Sequence, residues 1–346
     1  MKVCVFGAGG IGSYLAANLA GTGGIEVSAV GRGDHLAAIR RDGVRLVTEA
    51  AERVVRLDAA EEDATRLPHQ DIVFVTLKAQ SLPAAAANIC GLLKPDGHAV
   101  FVVNGIPWWW NYGLAAEGGS LPRLDPDGRL WNELGPQRAV GCVVYSANSI
   151  TAPGTVTHLG NNRWVLGEPD GLASARVART AAVLSQAGLQ AEVSGDLRLH
   201  VWKKLLRNAP FNALCALTRL AAHEFDAIPP LADLAQTATD EVVQVARAKG
   251  WTLPPTSARD VIDSGGLVNG SPKGSSAAIR PSMLTDVLLG RSLEIEAIIG
   301  QVQQFGREAR VPTPTLNALY ALLAGIDLHN QTSAREGSRP RAATAA

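Results

Sequence analysis

"KVCVFGAGGIGSYLAANLA", residues 2–20, decides the fold. A short run of β-favouring residues leads straight into Gly7, Gly9 and Gly12 in GxGxxG spacing, and an Ala/Leu helix pattern follows. Alone the glycine pattern is weak, because any Gly-rich turn matches it. Between a strand and a helix it has the context of a dinucleotide-binding unit. Gly7 allows the tight turn, Gly9 lets the backbone approach a pyrophosphate, and Gly12 lets helix and strand pack closely. The loop and first helical turn, Gly7, Ala8, Gly9, Gly10, Ile11 and Gly12, are the expected phosphate cradle. Residues 3–25 carry no charge, which faintly imitates a signal peptide or a membrane span. Seven of them are Gly, and Ser13, Asn18 and Thr22 interrupt the rest, so a strand-turn-helix explains them better.

Outward from this start, β-branched runs alternate with helical patterns. Lys2–Phe6, Glu26–Val30, Asp71–Leu77, Ala99–Val103 and Val140–Tyr145 are expected strands; Ile11–Leu19, His35–Arg41 and Leu82–Leu93 are expected helices. The alternation predicts an α/β, Rossmann-type, doubly wound sheet over residues 1–195. Thr155–His158 and Arg163–Leu166, around a Gly-Asn-Asn turn, suggest a small hairpin, and residues 173–187 one more helix. From Asp196 the strand signals stop. Helical patterns over 196–220, 231–249, 283–309 and 313–325 predict an all-α second domain, 196–330, with a Gly/Ser-rich loop at 264–276. The tail, 331–346, lacks apolar periodicity and is expected to be disordered.

The whole chain of 346 residues is 47% apolar and 18% charged, an ordinary globular balance. Lys plus Arg equals Asp plus Glu at 32 each, so no net field argues for nucleic acid or an anionic membrane. Cys4, Cys90, Cys142 and Cys215 are far apart and show no metal spacing, which predicts buried reduced thiols, no metal site and a cytoplasmic setting.

The second strand decides which dinucleotide. It ends "AVGRGDHL", with Arg32 where an NAD site usually offers an acid to the ribose. A guanidinium suits the 2′-phosphate of NADP through charge-assisted bonds; the alternative is a surface arginine with Asp34 on the ribose. "VTLKAQ" and "VVNGIP" close two further strands with Lys78 and Asn104 at the same carboxyl rim. In the second domain Lys204, Asn208 and Asn212 recur every fourth position among Val201, Leu205, Leu206, Phe211 and Leu214. A cation and two amides on one helix face are costly beside Leu and Phe unless something pairs with them. Lys203 points elsewhere and shares a face with Arg207, expected to be solvated.

"GAGGIG", "GRGDHL", "TLKAQ", "NGIP", "PGTVTHLG", "WKKLLRNAPFNAL" and "PSMLTDVLLGRSLEIE" follow one another in an order that resembles the ketopantoate reductases, over about residues 1–325. The resemblance implies reduction of the ketone of 2-dehydropantoate with NADPH, for pantothenate synthesis. It implies Lys204 as proton donor, Asn208 and Asn212 as substrate contacts, and Ser282 and Glu294 as contacts for substrate and cofactor. Asn104 is an implied contact for both ligands, Lys78 and Ala147 for NADP. Chemistry supports this: hydride addition builds negative charge on oxygen, which an ammonium stabilises and protonates.

The chain also departs from that family. Ala222-His223 stands where an Asn-Gly pair is usual and Ile279 where an Asn is usual. Pro210 precedes Asn212 instead of following it, and predicts a kink one turn earlier. "NGIPWWWNYG" adds Trp108, Trp109 and Trp110, beside a Gly/Pro-rich segment at 113–135 that is either a lid or a surface excursion. The Trp run is read either as pocket lining or as the cover of an apolar surface or homodimer contact. Two readings therefore stay beside ketopantoate: a bulkier 2-oxo acid or ketone as substrate, and a non-catalytic NADPH-binding regulator.

Overall fold

The computed structural model describes residues 1–114, 118–254, 256–257, 259–260 and 281–337. The 264–276 loop, Ile279 and residues 338–346 lie outside the described residues. The chain divides into two compact units, Met1–Val201 and Trp202–Ala346, a boundary six residues later than the expected one after 195. It falls inside a helix, Leu197–Asn208.

The first unit holds one sheet of ten strands: β1 (Lys2–Phe6), β2 (Glu26–Val30), β3 (Val44–Val47), β4 (Glu52–Val55), β5 (Ala59–Glu61), β6 (Gln70–Val75), β7 (Leu93–Val102), β8 (Ala139–Ala152), β9 (Thr155–Gly167) and β10 (Gln190–Val193). Its order is β4-β3-β9-β8-β7-β6-β1-β2-β5, with β10 on the other half of β9. Only β3–β4 and β8–β9 are antiparallel. The expected small hairpin within 155–166 is corrected. Residues 155–167 are one strand, and the reversal is at Gly154, φ +74°, between β8 and β9. Gly160 (φ +145°) and Asn161 (φ +58°) make an irregularity inside β9, opposite the register shift at Tyr145–Ala147. That bend lets one end of β9 pair with β3 and the other with β10.

Helices α1 (Gly10–Leu19), α2 (Gly33–Asp42), α3 (Leu82–Leu92) and α4 (Ala175–Gln186) complete the unit. Helix α1 contacts β1, β2, β3, β8 and β9, and its Gly12 to Ala17 are all buried. An enclosed helix needs no polar face, which accounts for the charge-free stretch. No helix among the described residues is long and apolar enough to cross a membrane.

Trp108, Trp109 and Trp110 are all fully buried, which corrects the reading of them as the cover of an exposed apolar surface: they pack in the core. Phe101 meets Trp108 edge-on at 5.3 Å. A Cβ on Gly141 would lie 2.5 Å from the Trp109 ring, so β8 makes room by having none. Arg198, 8% exposed, lies over the Trp109 and Trp110 rings and donates to the carbonyls of Trp110 and Tyr112. At about 25 cal/mol per Å2 and roughly 150–250 Å2 per ring, each indole contributes about 4–6 kcal/mol of burial before entropy. The segment after them is also anchored: Leu121, Leu124, Leu130 and Leu134 are buried, and the fully buried Asp125 accepts the N–H groups of Leu130 and Trp131. Residues 115–117 of that segment lie outside the described residues. Cys4, Cys142 and Cys215 are buried thiols as expected, whereas Cys90 is half-exposed on α3.

His98 in β7 gives the unit a pH dependence. The Thr180 hydroxyl donates to the Arg176 carbonyl at 2.8 Å, so His98 Nε2 is the donor to Thr180 Oγ1 at 2.9 Å. Burial first, then the Arg176 guanidinium, pushes the imidazole down to about 4. The unfolded chain titrates near 6.5 and binds the proton first, so stability is full above that pH and falls as pH drops from 6.5 to about 4. The loss from His98 is expected to approach about 3 kcal/mol. Urea midpoints at pH 7 and pH 4.5 check this, and His98→Asn should flatten the difference.

The second unit is helical, as expected. Helix α5 (Leu197–Asn208) gives way at Pro210 to α6 (Pro210–Thr218), the predicted break; α7 (Pro229–Ala248), α8 (Ser282–Leu288), α9 (Gln301–Glu308) and α10 (Pro314–Gly337) follow. The single pattern over 283–309 is interrupted: Gly290 takes φ +60°, and buried Asp327 accepts the Leu293 N–H at 2.7 Å before a π-turn at Glu296–Gly300 leads into α9. Helix α10 continues seven residues into the tail expected to be disordered. Gln331 reaches back to Asp327 and Thr332 to the Leu328 carbonyl, local bonds that extend it.

Candidate active site

Four neighbouring parallel strands, β7, β6, β1 and β2, end at one rim. Asn104 follows β7, Lys78 follows β6, Gly7 follows β1 and Arg32 follows β2. The chain leaves β1 for β2 on one side and returns as β6 on the other, so the order reverses at β1. Ligands of open α/β sheets bind at such a reversal, outside the carboxyl ends.

The glycine loop has the shape its spacing predicts. Gly7 takes φ +117°, and the N–H groups of Gly7 and Ala8 both donate to the Val30 carbonyl, at 2.9 and 3.0 Å. This ties the loop to the end of β2. A Cβ on Gly12 would collide with the Gly7 carbonyl oxygen and lie 2.6 Å from Thr76 Oγ1. A Cβ on Gly9 would meet nothing within 4 Å. The third glycine is therefore a packing residue, and the second faces open space at a helix N-terminus, where N–H groups lack intrahelical partners. Such a cradle fits a dinucleotide's pyrophosphate. Gly10 is closed instead by the Asn148 carbonyl, 2.7 Å from where its Cβ would be. Strand β8 is level with β7 at Cys142–Val102 and runs on past the rim, which brings half-buried Ala147 and Asn148 beside the first turn of α1. Arg32 is exposed and occupies the N-cap position of α2 without a side-chain bond to the helix.

Sequence reasoning missed three polar groups behind this loop. Thr76 Oγ1 donates to the Gly7 carbonyl at 2.6 Å. Ser13 Oγ donates to the Ala8 carbonyl at 3.3 Å and meets His35 Nε2 at 2.9 Å. A hydroxyl on an otherwise apolar helix was the available signal for Ser13. Its partner lies 22 residues away, beyond any local pattern.

The remaining site residues lie in the second unit. Lys204 is half-buried and Lys203 exposed, while Asn208 and Asn212 are only 8% and 4% exposed. Arg207 was expected to be solvated beside Lys203; it is half-buried, and burial holds its guanidinium below the ordinary range. The break at Pro210 puts Lys204 and Asn208 on α5 and Asn212 on α6. Helix α6 packs on α8, whose first residue is the exposed Ser282, and on α10. Glu294 is 9% exposed and follows the Leu293–Asp327 bond. Ala222 and His223 open a short turn, Ala222–Ala227, with His223 exposed. No cluster of three metal-ligating side chains occurs among the described residues.

Comparison with known proteins bears on both units. Residues 3–171 match the family model described as Ketopantoate reductase PanE/ApbA, and residues 196–327 match its C-terminal counterpart. A 2-dehydropantoate 2-reductase of Mesorhizobium japonicum is 39% identical over 325 residues, 93% of this chain and 97% of that one. The crystal structure of a PanE/ApbA family ketopantoate reductase from Ralstonia eutropha is similar at TM-score 0.78 and 27% identity, covering 96% of this chain and 100% of that one. A D-mandelate dehydrogenase solved with NADH and anilino(oxo)acetate shares the fold at TM-score 0.80 and 21% identity, over 96% and 100% of the two chains. With both of its halves matched, the chain belongs to the ketopantoate reductase family of oxidoreductases.

Proposed function

We propose that the protein is a cytoplasmic, NADPH-dependent 2-dehydropantoate 2-reductase. One observation carries this reading: the end-to-end likeness to the Mesorhizobium japonicum 2-dehydropantoate 2-reductase. The stripe Lys204, Asn208, Asn212 gives it a chemical rationale.

When bound, NADPH supplies the hydride that adds to the ketone carbon. Residues 7–12 hold its pyrophosphate through loop and helix N–H groups, with Lys78, Asn104, Ala147 and Glu294 as further contacts. Lys204 Nζ stabilises the charge collecting on the ketone oxygen and gives it a proton, leaving a neutral amine that regains a proton from water. Asn208 and Asn212, with Asn104 and Ser282, hold the carboxylate and hydroxyl of the 2-oxo acid through neutral groups that add no competing charge. Glu294 completes the catalytic pair with Lys204.

Arg32 is assigned to the 2′-phosphate. Its exposure at the cap of α2 leaves the guanidinium able to reach an anion at the end of β2. Arg32→Asp is expected to raise the Kd for NADPH by roughly tenfold or more, with the Kd for NADH rising far less. Titration of both dinucleotides against variant and wild type checks this. Unchanged relative affinities would return the role to Asp34.

A second reading keeps the reaction and enlarges the substrate. The replacement of the usual Asn-Gly pair by Ala222-His223 favours it. NADPH oxidation assayed against 2-dehydropantoate and a panel of alkyl and aryl 2-oxo acids separates the two. A kcat/KM for 2-dehydropantoate well above the others is expected. Preference for an aryl acid would support the second reading, and NADPH binding without any turnover would make the protein a regulator.

A further inference from the structure

His35 stands on the first turn of α2, three residues after Arg32, and is half-buried. The N–H of Gly154, at the β8–β9 turn, donates to its Nδ1 at 2.9 Å. With Nδ1 an acceptor, Nε2 carries the ring proton and donates to Ser13 Oγ at 2.9 Å. The Ser13 hydroxyl then donates to the Ala8 carbonyl at 3.3 Å. Burial holds the imidazole below its ordinary range, so the neutral ring that this relay requires is the form present near pH 7.

The relay joins four pieces of chain: the hairpin turn, α2, α1 and the glycine loop. It ends on the peptide between Ala8 and Gly9, whose N–H side is turned onto the Gly7 carbonyl at 2.7 Å. With both sides of that peptide held, its rotation is fixed, and the N–H groups of the next helical residues keep one direction. Apolar packing alone seats α1 but does not orient this peptide. Ser13 is 1% exposed, so its hydroxyl serves the interior.

We propose that His35, acting through Ser13, is a positioning residue for the dinucleotide pyrophosphate. The proposal rests on the reading that the glycine loop binds a nicotinamide dinucleotide, and it separates two neighbours in sequence. Arg32 distinguishes NADPH from NADH, whereas His35 supports both equally, because both carry the pyrophosphate.

The test is the Kd of NADPH and of NADH for Ser13→Ala, His35→Phe, their double variant and His35→Gln, with melting temperatures alongside. Ser13→Ala and His35→Phe are each expected to weaken both dinucleotides by about five- to twentyfold, and by the same factor. The double variant is expected to be no weaker than the worse single one, since both cut one relay. His35→Gln keeps an acceptor and a donor on one planar amide and is expected to stay within about threefold of wild type. The substrate KM at saturating cofactor should not move. Ser13→Ala binding within twofold of wild type overturns the proposal, as do multiplicative losses in the double variant, or a glutamine no better than phenylalanine. If His35→Phe fails to fold, Ser13→Ala and His35→Gln decide it. A wild-type protein that binds neither dinucleotide overturns the underlying reading as well, whereas an Arg32→Asp variant with unchanged cofactor preference removes only the 2′-phosphate assignment.

Discussion

Lys204→Ala is expected to lower kcat by about two to four orders of magnitude, the usual worth of a positioned proton donor. NADPH affinity should change little, because the glycine loop and Arg32 belong to another part of the chain. Lys204 is half-buried and its neighbour Lys203 exposed, so Lys203→Ala is the matched control and should stay near wild type. Asn208→Ala and Asn212→Ala should raise the substrate KM, each deleting a hydrogen bond and stranding its partner at a cost of about 1–3 kcal/mol. Both amides are under a tenth exposed, so a melting curve must accompany each assay. A Lys204→Ala enzyme with normal turnover would make the stripe structural.

Gly12→Ala is expected to destabilise the first unit by about 3 kcal/mol or more, since the new Cβ meets a backbone carbonyl that cannot swing aside. For a unit of this size that is a fall of roughly 6–12 °C in Tm, and dinucleotide binding should be lost with it. Gly9→Ala is the informative contrast. Gly9 has φ −84°, which alanine adopts freely, and nothing lies within 4 Å of its new methyl. Its Tm should stay within about 2 °C of wild type, as for a substitution that disturbs no packing. Its dinucleotide Kd should rise by roughly tenfold or more, because the methyl occupies the path of the pyrophosphate. Equal losses of stability in the two variants would mean that the glycines share one role.

The beginning of the chain is legible because its signals are local. Lys2–Phe6 and Glu26–Val30 form strands at the expected residues, and α1 starts one residue before the expected Ile11. Strands β3 and β4, four residues each with a charge among the valines, were missed because so short a run is made a strand by its neighbours. The Gly160-Asn161-Asn162 error is of another kind. Glycine and asparagine favour left-handed backbone equally in a turn and in a strand irregularity, and only pairing with β3 and β10 tells them apart. Three adjacent tryptophans read alike in a core or on a surface until Phe101, Gly141 and Arg198 are known to surround them. That Gly7, Arg32, Lys78 and Asn104 share one rim was likewise readable from strand ends. The roles proposed for the second-unit residues come from family resemblance, and the relay through His35 joins groups up to 119 residues apart.

The enclosure of α1 by β8 and β9 bears on how the protein is made. Helix α1 ends at Leu19, yet the strands that cover Tyr14 and close over Gly10 begin at Ala139 and end at Gly167. A chain that stops short of Ala139 carries the whole glycine loop but cannot yet bury α1, and its apolar surface stays open to chaperones and to other chains. Pairings of such long sequence separation form slowly. Synthesis must pass the hairpin before the first unit becomes a folded body.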